Sequence, residues 1–327
     1  MDLCAPLPFR PVYQTLVWGG QRLRRWRPDL PEGRIGESWD LADHSRGMSV
    51  VSHGPLAGRT LHDLVSQAGA QLVGNGFHGD RFPLMIKLID AAERLSVQVH
   101  PDNATAVRLG VGSHSKTECW VILSDGGYLY QGIRSGLSRE DFERALSNHA
   151  LEPTLNRFEA RDRDVFFIEA RTVHALGEGC LLYEVQQNCD ITYRVYDWDR
   201  VGLDGRPRPL HVAESLATID FGRTGFGPLR PPWRGEESVS GAWRHIIECP
   251  MFTLKEVRLV AGVTVRRDLE GTCVAITCIE GHGVLSTEGG SIPIREMQTV
   301  LVPAAAEAWS ARSDSPRMDL LLAAPVL

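Results

Sequence analysis

Residues 95–100 read Leu-Ser-Val-Gln-Val-His, so that Leu95, Val97 and Val99 alternate with Ser96, Gln98 and His100. In an extended strand, side chains two residues apart share a face, which puts Gln98 and His100 side by side about 6–7 Å apart. The pattern suits an ordinary half-buried strand with a polar outer face as well as one that carries ligands. Lys116 and Glu118 repeat the two-residue spacing just ahead of the apolar run from Cys119 to Leu123. An ammonium beside a carboxylate is either a surface ion pair contributing about 0–1 kcal/mol or a metal ligand with a cation next to it. His174 follows the strand-like run Val165–Ile168 and sits between apolar neighbours, a setting that structural histidines share. Glu184, Asp190 and Arg194 fall within eleven residues of a β-rich stretch. Burying them without partners would be costly, so an ion-pair network is the alternative reading.

Together these residues carry more than each does alone. His100, Glu118 and His174, with Gln98 as an oxygen donor, make a mixed nitrogen and oxygen set suited to zinc or a similar divalent ion. Imidazoles with one carboxylate are catalytic in style, since structural zinc sites favour thiolates. Lys87, Lys116 and Arg194 supply local cations in a chain whose formal net charge is −6. That combination points to an anionic ligand such as a phosphate ester.

The elements that must hold these groups are mainly strands. Only three stretches have helical patterning. In residues 60–74, Leu61, Leu64, Val65, Ala68 and Leu72 share a face behind a capping box of Thr60 and Asp63. Residues 138–148 repeat the device with Ser138 and Asp141, and a shorter helix is expected from His211. Pro101-Asp102-Asn103 is read as a turn. Most other apolar runs are short, β-branched and punctuated by Gly, Pro or Asp, which predicts strands. Residues 221–241 are crowded with Gly and Pro and read as a linker. Beyond it, strand-like runs at 252–259, 274–279, 283–287, 299–303 and 318–323 suggest a sandwich or jelly roll. The expected layout is a first domain over 1–235 and an all-β domain over 236–327.

Composition bounds the class. The chain has 327 residues, 43% of them hydrophobic and 23% charged, which excludes disorder, collagen and coiled coil. Its acidic balance gives no basic footprint for nucleic acid. No apolar run approaches the roughly 20 residues of a membrane span. Seven cysteines, none spaced C-x-x-C, fit reduced thiols buried as small hydrophobes and a cytoplasmic location. No obligatory protein partner is evident.

The sequence resembles the type I phosphomannose isomerase family in its short bacterial form. The matching blocks are WGGQRL from Trp18, IGESWDLADH from Ile35, and FPLMIKLIDAAERLSVQVHPDNA from Phe82. KTECWVIL from Lys116, VHALGEG from Val173, and YEVQQNCDITYRVYDWDR from Tyr183 complete them. They cover most of residues 10–220, whereas the last 90 or so residues agree by architecture more than by motif.

The resemblance implies two cupins, that is, jelly-roll β-sandwiches, with a metal in the first and none in the second. It places Gln98, His100, Glu118 and His174 on the family's zinc ligands and Arg194 on its catalytic arginine. Glu184 and Asp190 match acidic residues lining the pocket; Lys87, Ser96 and Lys116 match residues near the substrate or its phosphate. The activity implied is interconversion of mannose 6-phosphate and fructose 6-phosphate, with Glu184, Asp190, Lys116 or a metal-bound water as the proton carrier. Longer members have a His just before the lysine of K-x-E and a Tyr two residues after the last zinc histidine. This chain has Ser115, with His114 before it, and Leu176. Those changes leave open an isomerase of a different sugar phosphate; a non-catalytic sugar-phosphate-binding cupin is a third reading, against which the intact ligand set argues.

Overall fold

The structure is a computed structural model that describes residues 3–112, 115–236 and 241–327; His114 lies outside the described residues. The chain divides into two compact units. One holds residues 13–38 and 88–229. The other joins the described residues of 1–12, 39–87 and 230–327.

The first unit is built on two sheets. A five-stranded antiparallel sheet runs in the order Leu155–Ala160, Gly127–Ile133, His174–Leu176, Val97–Val99, Tyr193–Tyr196. A second sheet carries Val165–Ile168, Glu118–Ile122 and Leu181–Gln187 side by side in that order. Strand alternation sorts their side chains. Leu129 and Leu176 of the five-stranded sheet pack with Trp120, Ile122, Phe166, Ile168 and Leu182 of the other in one buried cluster. The opposite face of the five-stranded sheet, with Val97, Val99, Ala175 and Val195, packs with Phe142 of the helix Arg139–Ser147. Each layer therefore buries one apolar face against the next, the general solution for a sandwich.

In the second unit, a seven-stranded sheet has the order Ala242–Glu248, Phe252–Val260, Arg317–Pro325, Val274–Glu280, Gln298–Val302, Leu7–Arg10, Val50–Val51. A four-stranded sheet runs Thr264–Asp268, Ala308–Ser313, His282–Thr287, Gly290–Arg295. Leu259, Ile276, Val300 and Leu320 from the first pack with Leu285, Ile294, Trp309 and Ala311 from the second. The chain is thus mainly β, as expected from its strand patterning.

The helices follow their caps. Thr60 and Asp63 form a reciprocal capping box for Leu61–Leu72, which departs from helical geometry at Ala68. Ser138 and Asp141 do the same for Arg139–Ser147, and Val212–Thr218 is the third expected helix. One element differs. Asn103–Arg108 is a short helix rather than a turn, because the Asp102 side chain accepts the Thr105 N–H and caps it. Residues 221–236 hold no strand or helix, in keeping with their Gly and Pro content.

Candidate functional site

Val97–Val99 lies between two short partners, and its register fixes the site. Gln98 stands opposite His174 on one side and Arg194 on the other. Directly opposed residues of neighbouring strands share a face, and His100, two positions on, shares it too. Val97 and Val99 take the other face. The facing sheet supplies Glu118, whose strand neighbours are Ile168 and Gln186. Trp120, two residues further, stands between Phe166 and Glu184.

Three of these side chains converge. His100, Glu118 and His174 are all buried, and one ligand atom from each lies within 4.8 Å of the others. His100 Nε2 is 3.3 Å from Glu118 Oε1, and His174 Nε2 is 3.8 Å from Glu118 Oε2. The Lys116 ammonium lies 2.6 Å from Glu118 Oε1 and 3.3 Å from His100 Nε2.

The imidazole tautomers follow from their other contacts. His100 Nδ1 is 2.9 Å from the Ile191 carbonyl, and His174 Nδ1 is 2.8 Å from the Thr172 carbonyl. A carbonyl can only accept, so both Nδ1 atoms donate and both neutral rings turn an Nε2 lone pair towards Glu118. Burial, reinforced by Lys116, pushes His100 down to about 3. Burial likewise lowers His174. For Glu118 burial acts upwards, but the adjacent Lys116 ammonium outweighs it and holds the carboxyl well below its usual range. At neutral pH the cluster is thus two bare imidazole nitrogens and a carboxylate.

Among the described residues, His174 Nε2 has no hydrogen-bond partner although it is fully enclosed. An acceptor left so is costly unless something else occupies it. Two nitrogens and a carboxylate, each imidazole fixed by a backbone carbonyl, fit a divalent cation well.

The remaining sequence-selected residues fall into several positions. Glu184 is buried and its Oε2 accepts the Trp120 indole N–H at 2.8 Å. The Trp120 ring meets His174 edge-on, with centroids 5.5 Å apart. Arg194 is half-buried; its backbone N–H donates to His211 Nδ1 at 3.1 Å and its Nη1 to the Pro209 carbonyl at 2.8 Å. Burial, with Arg208 nearby, lowers its pKa, yet a guanidinium stays charged. Ser96 is buried just ahead of the strand, and Asp190 is half-buried on the segment between two strands. Lys87 belongs to the other unit, where its ammonium lies 5.3 Å from the centre of the Trp39 ring.

Three contributors carry no signal in residue type alone. Trp120 links Glu184 to His174. Gln186 donates its amide N–H groups to the carbonyls of Gln187 and Cys189, which fixes the turn leading to Ile191. His211 holds Arg194. For Gln186 the strand alternation with Glu184 was the available clue; for Trp120 and His211 the partner lies too far along the chain to be foreseen.

Residues 7–120 match the model of the phosphomannose isomerase type I catalytic domain. The chain is similar to mannose-6-phosphate isomerase ManA of Bacillus subtilis, 33% identical over 301 residues, which covers 91% of this chain and 93% of that protein. It superposes on a crystal structure of a mannose 6-phosphate isomerase from Bacillus subtilis with a TM-score of 0.88 and 28% identity, covering 98% of this chain and 99% of the other. A zinc-bound mannose 6-phosphate isomerase shares the fold, with a TM-score of 0.75 at 16% identity, 98% of this chain and 100% of that one being covered.

Proposed function

The chain belongs to the type I phosphomannose isomerase family, and on that premise we propose that it interconverts mannose 6-phosphate and fructose 6-phosphate with zinc held by Gln98, His100, Glu118 and His174. The observation that carries this reading is the convergence of two imidazole Nε2 atoms on Glu118, each ring fixed by a backbone carbonyl.

The reaction requires ring opening, removal of the C2 proton and its return to C1 through an enediolate. Zinc bound by these residues supplies Lewis-acid polarisation of the C1 and C2 oxygens. The chain's own groups do the rest. Arg194 is permanently charged and its guanidinium is held by the Pro209 carbonyl, so it presents a fixed positive charge to the developing enediolate. Glu184 is the proton carrier in this reading, because the Trp120 N–H fixes it one ring away from His174. Lys116 offsets the charge of Glu118 and offers a donor to a sugar oxygen. Ser96, and by resemblance Lys87, are assigned to substrate binding, where the phosphate serves as a handle whose binding energy orients the reacting carbons.

The test is conversion of mannose 6-phosphate to fructose 6-phosphate before and after chelation, then after zinc is returned. Activity lost with chelator and restored by zinc is the expected result. A stoichiometrically metal-loaded protein that exchanges no C2 proton of mannose 6-phosphate would overturn the reading.

A further inference from the structure

The second unit contains a cavity of about 700 Å³ built wholly from residues 243–327, none of which belongs to the His100 cluster. Its floor is apolar, formed by Val257, Val274, Leu322 and the buried indole of Trp309. One wall belongs to the seven-stranded sheet. There Trp243 stands opposite Val257, and the next row runs His245, Lys255, Leu322 by register. Trp243 is half-buried, meets the His245 ring edge-on at 5.1 Å and carries the Arg234 guanidinium over one face, 5.6 Å from the ring centre, which leaves the other face as the indole wall. Across the cavity Arg267 lies opposite Trp309 in the four-stranded sheet, Asp268 ends the same strand, and the turn after it adds Glu270.

The charges decide what such a cavity takes. Its lining carries Lys255 and Arg267 against Glu248, Asp268 and Glu270. Among the described residues, the side chains of Lys255, Glu248 and Glu270 have no ion-pair partner. An anion would gain from two cations but face three carboxylates, so the electrostatics give it no advantage. A polyhydroxyl ring uses both signs, with hydroxyl oxygens accepting from Lys255 and Arg267 and hydroxyl protons given to the carboxylates. Its C–H face matches an indole wall, which is apolar on its face and polar at one edge. A volume of about 700 Å³ lies in the middle of the range for small-molecule sites. We infer that this cavity is a second binding site, for a neutral saccharide of a few hexose rings, seated on Trp243 between the Lys255 and Glu270 walls.

The experiment is a titration of the whole protein with cellobiose and with maltotriose, followed by calorimetry and by saturation-transfer NMR. The expected result is binding of at least one of them, unaffected by saturating mannose 6-phosphate. Trp243→Ala should weaken that binding by at least about tenfold while mannose 6-phosphate turnover is unchanged. Should Trp243→Ala misfold, Lys255→Met and Glu270→Gln, both polar-wall changes, must each weaken binding with normal circular dichroism. The inference is overturned if neither saccharide binds up to about 50 mM, a concentration that detects contacts of about 2 kcal/mol. It is equally overturned if mannose 6-phosphate displaces the saccharide, if all three variants bind normally, or if inorganic phosphate competes for the cavity.

Discussion

The Trp120 indole N–H donates to Glu184 Oε2 at 2.8 Å, joining two strands of one sheet at a point where both side chains are buried. The same ring meets His174 edge-on. A residue that sequence reading would file as core thus fixes a carboxylate and packs a proposed metal ligand.

Trp120→Phe keeps most of the packing and removes the donor. Leaving a buried acceptor short of its hydrogen bond costs about 1–3 kcal/mol, so the denaturation midpoint should fall. Turnover should drop about 10–100-fold, within what a positioned acid or base contributes, with zinc content unchanged and the pH profile of kcat displaced. An unaltered profile would remove Glu184 from proton transfer.

His100→Ala and His174→Ala should lose zinc and turnover together. Arg194→Ala should retain zinc, yet lose about 10²–10³ in kcat, the usual effect of deleting one preorganised charge. Metal analysis beside steady-state kinetics separates the two classes. Near-normal turnover in Arg194→Ala would end its assigned role.

Acid should act on the metal-stripped protein through its histidines. His100 lies at about 3 in the folded chain and His174 is lowered too, against about 6.5 when unfolded. The folded state therefore binds fewer protons between those values. Stability from this source is complete above about pH 6.5 and is lost as pH falls towards 3. Chemical denaturation across that window should show the decline, and His100→Gln should flatten it; equal slopes in the two proteins would assign the acid sensitivity to other groups.

Thr60→Ala removes the side chain that accepts the Asp63 N–H at 3.0 Å and half of a capping box. The expected loss is about 1 kcal/mol of stability, read by urea denaturation, with no change in zinc content or turnover. A change in turnover would tie this helix to catalysis.

Much of the site was legible because strand alternation is a local property. Leu95 to His100 shows its two faces in six residues, and the structure puts Val97 and Val99 against the helix layer with Gln98 in register with His174. The convergence of Glu118 with two imidazoles from the other sheet was not readable from alternation, since it depends on how two sheets face each other. Family resemblance supplied that pairing instead. Asn103–Arg108 escaped because six residues show barely two turns of periodicity, and its one clue was the Asp102 cap. The grouping of residues 39–87 with 230–327 escaped for another reason. Leu7 pairs with Leu301, and a pairing at that sequence distance leaves no trace in a local window.

That pairing limits where the polypeptide can be cut. Gln298–Val302 hydrogen-bonds to Leu7–Arg10 on one side, and Leu7–Arg10 in turn to Val50–Val51. A fragment started at the glycine- and proline-rich segment would strip that sheet of its last two strands. It would present a raw backbone edge flanked by Val300 and Leu301, a template for association with other copies. Recombination between relatives at that segment would have to carry residues 1–12 and 39–87 along with the last hundred or so, as one inherited set.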